Sequence, residues 1–466
     1  MLWMGVLIFV CLWAMGLSPY WNGEIVNHRG QYEDMAEALL NGHLYLDIEA
    51  DEKLLQMKDP YDPDARAAEG ADVAWDHAYY KGRYYMYFGV VPVILLFLPY
   101  RILTGTALTT FHATQVFTAL IIIGFFVMFE HLRKRFFPGM RELVCTGLCT
   151  AFSLASVWYF AAAPALYCTA ISGAVCKMIW CFYFYFRAVF DDISFNKRIT
   201  FAVIGGLLGA LSFGCRPTVA LANVVIIPLC VSYARSHKIE KEDLKKIPLI
   251  LIPYVVIGLL LMAYNYARFE DPFEFGQAYQ MTFYDQHDLN FFSAIDLRAM
   301  AEGFYQMFFA FNGFSAEFPY VRFGGIFIEF PLMLFGPVLL IFSGTLRRDL
   351  REKGLLGTVI TMGAALVLIV AAMVHMSPII LERYQSDVVF LLGIMNFLII
   401  GSHLSLQSGK ALKGLNAAVL ILSGLTCVEA VLLFLVPNDL NFTQCYPGYL
   451  LKMNRILNDL RKMLFG

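Results

Sequence analysis

Apolar runs long enough to cross a bilayer recur along most of this chain, and they constrain its fold more than any other feature. They lie near 2–18, 110–130, 143–163, 169–190, 199–214, 218–234, 247–266, 326–345, 355–375, 385–403 and 414–436, about eleven in all. A helix of about 17–25 apolar residues spans the hydrocarbon core of a membrane. The composition agrees: 59% of the residues are hydrophobic and 15% charged, against roughly 45–50% and 25% in a soluble domain. No single water-soluble core hides that much apolar surface, so lipid is the solvent. The sequence therefore predicts an all-α polytopic membrane protein, with 1–466 as one integral-membrane domain.

The order of the segments is informative. One apolar helix is followed by a long polar and aromatic stretch, and only then by the remaining runs. The first run lacks a basic leader and a good small-residue cleavage signal, so it reads as an uncleaved anchor rather than a signal peptide. Phe88 to Leu103 is apolar but short, and it contains Pro92 and Pro99. Charge decides its status. If it does not cross, the loops following the spans divide cleanly. Those around 131–142, 191–198, 234–246, 347–353 and 405–413 carry 17 Lys/Arg on one side. The positive-inside rule puts that side in the cytoplasm and makes 88–103 a re-entrant or surface-lying helix.

Three regions then share the outer face: a first loop over 19–109, a second over 267–325 and a C-terminal tail over 437–466. Residues 19–87 hold 14 Asp/Glu against 6 Lys/Arg. The tail is basic and amphipathic, and it is expected to lie along the membrane. The net charge of −2 argues against a nucleic-acid partner. Most of the ten cysteines fall in apolar segments, where they pack as small hydrophobes, and only Cys445 lies in a clearly polar stretch. No nucleotide-binding glycine loop is present, and no His/Cys cluster has zinc-ligand spacing.

Within the first loop, QYEDMAEALLNG predicts a short helix with Tyr32, Met35, Ala36 and Leu39 on one face, stopped at Asn41-Gly42. Asp59, Asp62 and Asp64 have the chemistry to hold a divalent cation, although a solvated, proline-punctuated loop accounts for them more simply. The segment WDHAYYKGRYYMYF interleaves charge with aromatic rings and contains Asp76, His77, Lys81, Arg83 and Tyr85. That pattern suits stacking a sugar and gripping a phosphate, and it equally suits an interfacial aromatic belt. In the second loop, Arg268 and Glu274 precede DLRAMAEGFYQMFFAF, which reads as a surface helix. Glu382 and Arg383 open ERYQSD, where they have the spacing to pair, and Tyr384 follows. Arg216, Arg268, Arg322 and Arg383 place four guanidinium groups on one face, and guanidinium grips phosphate bidentately.

Taken together, these residues resemble the GT-C superfamily of membrane glycosyltransferases, and most closely the bacterial protein O-mannosyltransferase and lipid A aminoarabinose transferase type. The pattern Y-x-x-x-A-x-x-x-x-x-G is matched by Tyr32, Ala36 and Gly42, and a Pro-containing surface helix ending in Gly by Pro92 and Gly105. The order of features covers nearly the whole chain, and YNYARFEDPFEFGQAYQ and ERYQSD look like motifs of uncharacterised bacterial relatives.

The resemblance implies a GT-C-like bundle in the plasma membrane and inverting transfer of a sugar from a polyprenyl-phosphate donor. The acceptor would be a hydroxyl of a cell-envelope glycan, lipid or protein. A carboxylate would act as general base, and basic residues would stabilise the departing phosphate. Relatives carry an acid pair ahead of the helix tyrosine, where this chain has His28 and Arg29. The base is then sought at Glu24, Asp34 or Asp76, with Glu24 and Asp76 preferred over Asp34. Two other readings compete. A lipid or solute transporter would more often bury ionisable residues at mid-membrane, of which this chain has few, Lys177 among them. A non-catalytic assembly protein would account for the missing acid pair.

Overall fold

The computed structural model describes residues 2–17, 30–164, 166–236, 245–287, 296–315, 319–377, 380–436 and 447–465. Glu24, His28 and Arg29 lie outside the described residues, as does Cys445. The chain is an all-α polytopic membrane protein, and helices occupy all eleven apolar runs. Among the described residues, eight helices are long and apolar enough to cross a bilayer.

Helix Ser386–Ser405 forms the centre. It is apolar around its whole circumference and buried along almost its entire length, as expected of a helix with no polar stripe to present. Helices Thr110–Phe136, Glu142–Ala162, Leu166–Phe190 and Leu356–Met376 pack around it. Helix Ile252–Phe269 lies at the periphery, where Val255, Leu259 and Leu260 remain exposed to the lipid phase. The helices divide the polar residues between two ends. At one end, His131 and Asp191 approach to 3.0 Å, Lys246 donates to Asn196 at 2.7 Å, and Lys353 donates to Ser405 at 3.0 Å. This is the basic end. At the other, Gln277 donates to the Met376 carbonyl at 3.0 Å and Gln385 to that of Gly324 at 2.7 Å.

Two runs depart from regular spans. The 326–345 run breaks at Phe330 (φ −126°, ψ 78°) into Ile326–Glu329 and Pro331–Phe342, because Pro331 disfavours helical geometry in the residue before it. The second piece is about 18 Å long at 1.5 Å per residue, short of the roughly 30 Å core. Pro337 within it cannot donate to the Met333 carbonyl. Asn396 of the central helix supplies the missing donor at 2.9 Å, and its Oδ1 accepts from the Gly336 N–H at 2.8 Å. The 218–234 run begins at Pro217 and carries a 3₁₀ turn, Leu221–Val225.

Val93–Thr104 forms one short helical segment that opens with a π turn and ends at Gly105 in the left-handed region (φ 71°). At about 18 Å it is too short to cross. The predicted surface helix of the second loop forms over Leu297–Phe308, capped by Asp296. The tail forms helix Pro447–Phe465, and the Tyr320 hydroxyl donates to Asn454 at 2.9 Å.

Candidate functional site

The site is assembled at the end opposite the basic loops. Helix Gln31–Leu40 forms with the expected face inward: Tyr32, Met35 and Ala36 are buried and Leu39 packs beside them. Asn41 caps it and Gly42 adopts φ +84°. Tyr32 stacks between Phe97 (5.2 Å) and Phe88 (6.2 Å). Its buried hydroxyl has no hydrogen-bond partner among the described residues, and burial raises its pKa. Glu33 accepts from the Thr110 N–H at 2.8 Å, tying this helix to the start of Thr110–Phe136. Burial pushes the Glu33 carboxyl up to about 7.

The aromatic segment of the first loop folds into a hairpin, Ala78–Tyr80 with Arg83–Tyr85. Its two-residue turn, Lys81-Gly82, has positive φ at both positions (48° and 78°), which matches the right-handed twist of the strands. The second loop extends this sheet. Tyr79 N–H donates to the Tyr279 carbonyl at 2.8 Å, Met281 N–H to His77 at 2.9 Å, and Asp76 N–H to Met281 at 3.0 Å. Two loops remote in sequence are thereby locked edge to edge, with Asp76 beside Gln280.

Asp76 is buried and holds φ +58°, an unfavourable conformation for a residue with a side chain. Such strain concentrates at functional sites. Its carboxylate accepts from the Gln280 amide at 2.9 Å and from the Tyr167 hydroxyl. Gln31 donates to its backbone carbonyl at 2.9 Å. The guanidinium of Arg383 lies 4.0 Å from the centroid of that same Tyr167 ring and 5.5 Å from that of Tyr384. The Arg383 side chain makes no hydrogen bond or ion pair among the described residues. Carboxylate and guanidinium thus share one tyrosine, the first at its hydroxyl and the second over its face.

Arg216 also lies against Tyr384, 5.3 Å from its ring. Its Nε donates to both oxygens of Asp387 at 2.8 and 2.6 Å, and Thr218 donates to the same carboxylate at 2.9 Å. Asp387 is fully buried at the start of the central helix. Tyr87 lies amid the set. Burial raises its pKa, Tyr384 and Asp76 push the same way, and Arg216 opposes them.

The remaining candidates have other surroundings. Arg268 donates to the Met86 carbonyl and to Asn265, both at 2.8 Å, and sits on the Tyr264 ring at 4.0 Å. It braces the end of the hairpin. Arg322 is exposed, near the Gly324–Gln385 contact in sequence. The four arginines therefore do not converge: Arg216 and Arg383 meet around Tyr384, and a buried carbonyl holds Arg268. Arg383 does not pair with Glu382, because it stacks on the tyrosines. Lys81 pairs with Glu270 at 2.5 Å at the exposed hairpin turn, and Arg83 stacks on Tyr45 at 4.2 Å.

Tyr85 packs against Phe269, and His77 bonds the Trp75 carbonyl at 2.8 Å. Glu274 accepts from the Gly276 N–H and shapes the second loop, and burial raises its pKa. Asp34 is half-buried on its helix. Asp59 caps a turn at the Tyr61 N–H and Asp62 caps helix Pro63–Glu69. Among the described residues, no group of three His, Cys, Asp or Glu is placed to hold a metal.

Tyr167, Gln280, Gln31, Tyr87 and Thr218 belong to the site but were not singled out as site residues by sequence. Gln280 lies in the FGQAYQ motif and Tyr87 in the aromatic segment, so both carried some signal. Tyr167, at the edge of an apolar span, carried none.

No protein-family model matches the chain, and no curated protein matches it. Two solved structures of the Archaeoglobus fulgidus oligosaccharyltransferase are similar. The apo form is 12% identical, with a TM-score of 0.45, over 94% of this chain and 57% of that one. The form tethered by a disulfide bond to an acceptor peptide containing the NVT sequon is 13% identical, with a TM-score of 0.44, over 94% and 56%. The present chain spans little more than half the length of those structures.

Proposed function

We propose that this protein is a GT-C-type membrane glycosyltransferase. It moves a sugar from a polyprenyl-phosphate donor to an acceptor hydroxyl of the cell envelope, on the face opposite the basic loops. The observation that carries this reading is the pairing of Asp76 with Arg383 through Tyr167. A buried carboxylate and a half-buried guanidinium meet at one tyrosine, and that guanidinium makes no ion pair among the described residues. Such a cation is poised for a phosphate, and bidentate guanidinium–phosphate contacts are among the strong ones.

In this reading Asp76 takes the acceptor proton as the acceptor oxygen attacks the anomeric carbon. The bond from that carbon to the phosphate oxygen breaks, and the electron pair leaves with the polyprenyl phosphate. Arg383 stabilises the charge developing there, with Arg216 behind it. Tyr87, Tyr167 and Tyr384 supply apolar faces for the sugar, and the alkyl chain lies among the spans. Gln280 and Tyr167 orient the Asp76 carboxylate. The helix Gln31–Leu40 and the hairpin, within the 19–109 loop, form the floor.

The test is transfer of a radiolabelled sugar from a polyprenyl-phosphate donor by purified protein in nanodiscs, comparing wild type with Asp76→Asn and Arg383→Gln. Loss of a general base lowers the rate by about 10²–10⁴-fold. If both variants transferred sugar at the wild-type rate while wild type was active, this assignment of base and phosphate ligand would be wrong.

A further inference from the structure

The basic end contains a cavity that the transfer chemistry does not use. It encloses about 900 Å³ and opens between the ends of five helices. Its floor is apolar, with Phe136, Phe190, Pro228, Val231, Leu356 and Ile360. Arg135, Arg235 and Arg351 line its rim, and their side chains make no hydrogen bond or ion pair among the described residues.

The walls are fixed. Arg198 donates to the Val189 and Asp191 carbonyls, each at 3.1 Å, closing the end of helix Leu166–Phe190, and it stacks on Tyr233 at 4.6 Å. Gly354, at φ +72°, forms the opposite corner, and Ser232 donates to its carbonyl at 3.2 Å. A Cβ on Gly354 would lie 2.5 Å from the Ser232 hydroxyl. Of the acids at the cavity, Asp191 is already paired with Arg187 at 2.8 Å and Glu352 with Arg348 at 2.9 Å. Asp192 is the acid left without a salt-bridge partner among the described residues.

We propose that this cavity binds the phosphate headgroup of an anionic phospholipid, with the start of an acyl chain on the Phe136, Phe190 and Val231 floor. The charge balance and the amphipathic lining argue for a lipid. A soluble anion has no use for an apolar floor, and a neutral lipid has no use for three guanidinium groups that have no partner among the described residues. Basic pockets between spans on the cytoplasmic side have this character. The site is independent of the transfer reaction.

The test is native mass spectrometry of the full-length protein with phosphatidylglycerol or phosphatidylcholine of identical chains, and with glycerol 3-phosphate as a free headgroup. Wild type is expected to prefer phosphatidylglycerol by at least about tenfold, with affinity falling on the order of fivefold for each arginine neutralised. The R135Q/R235Q/R351Q variant should lose the preference. Val231→Trp, which fills the floor and keeps the charges, should weaken binding of phosphatidylglycerol. Equal retention of both lipids by wild type, or an unchanged preference in the triple variant, would overturn the proposal. Binding of glycerol 3-phosphate as tight as that of the lipid, unaffected by Val231→Trp, would overturn the lipid assignment in favour of a free-phosphate site.

Discussion

Asp387→Asn is the most searching perturbation of the site's framework. Asp387 is fully buried, and it accepts two contacts from Arg216 Nε and one from Thr218. Asparagine keeps the shape and one acceptor oxygen but removes the charge, leaving Arg216 with no counter-ion among the described residues. Breaking a buried ion pair from one side costs about 3–5 kcal/mol, whereas replacing both partners with apolar residues of similar volume is often neutral or stabilising by about 1–4 kcal/mol. The single variant should therefore unfold several degrees below wild type, and R216M/D387L should recover most or all of the loss. Thermal unfolding in one detergent, followed by intrinsic tryptophan fluorescence, reads both. Transfer activity then separates framework from chemistry. If Arg216 also serves the phosphate, the double variant folds and transfers poorly. An Asp387→Asn protein as stable as wild type, or a double variant less stable than the single one, would refute the ion-pair argument.

Tyr167→Phe removes the hydroxyl that holds Asp76 but keeps the ring under Arg383. It should lower the maximal rate of transfer while changing the donor KM less than Arg383→Gln does, which steady-state kinetics would check. Glu33 supplies a pH dependence. Its folded pKa is raised from 4.5 to about 7, so its contribution to stability is complete below about pH 4.5 and is lost as pH rises through about 7. At 1.36 kcal/mol per unit that is at most about 3 kcal/mol. Glu33→Gln, still able to accept from Thr110, should flatten the fall in melting temperature between pH 5 and 8. Gly89→Ala would put a Cβ 2.2 Å from the Gly214 carbonyl oxygen and 2.7 Å from that of Cys215. Backbone atoms cannot rotate aside, so it should cost about 1–3 kcal/mol and displace Arg216, lowering both melting temperature and transfer.

The helices of this protein were legible in its sequence because their signal is local. An unbroken apolar run long enough to cross lipid satisfies its own backbone only as a helix. The alternation of basic and acidic loops then assigns the ends. Tyr32, Met35, Ala36 and Leu39 recur at helical spacing, so their buried face was readable too. The interior breaks were less so: Phe330-Pro331 carried a signal, but rescue of the Met333 carbonyl by Asn396 joins two different spans.

The site was legible only as a list of residues, and tertiary structure decided which of them meet. Arg268 and Arg383 look alike in sequence, each at a span end amid aromatics. One is consumed by the Met86 carbonyl, and the other keeps its guanidinium over Tyr167. Asp76 acquires its setting from Tyr167, 91 residues away, and from Gln280, 204 residues away, and Arg216 from Asp387, 171 residues away. Periodicity and hydropathy are properties of a window, whereas a hydrogen bond across such separations depends on how whole helices and loops pack. The sequence by itself determined that the chain crosses the membrane and where its charges lie. The packing of helices and loops determined that Arg216 meets Asp387 and that Asp76 and Arg383 meet at Tyr167.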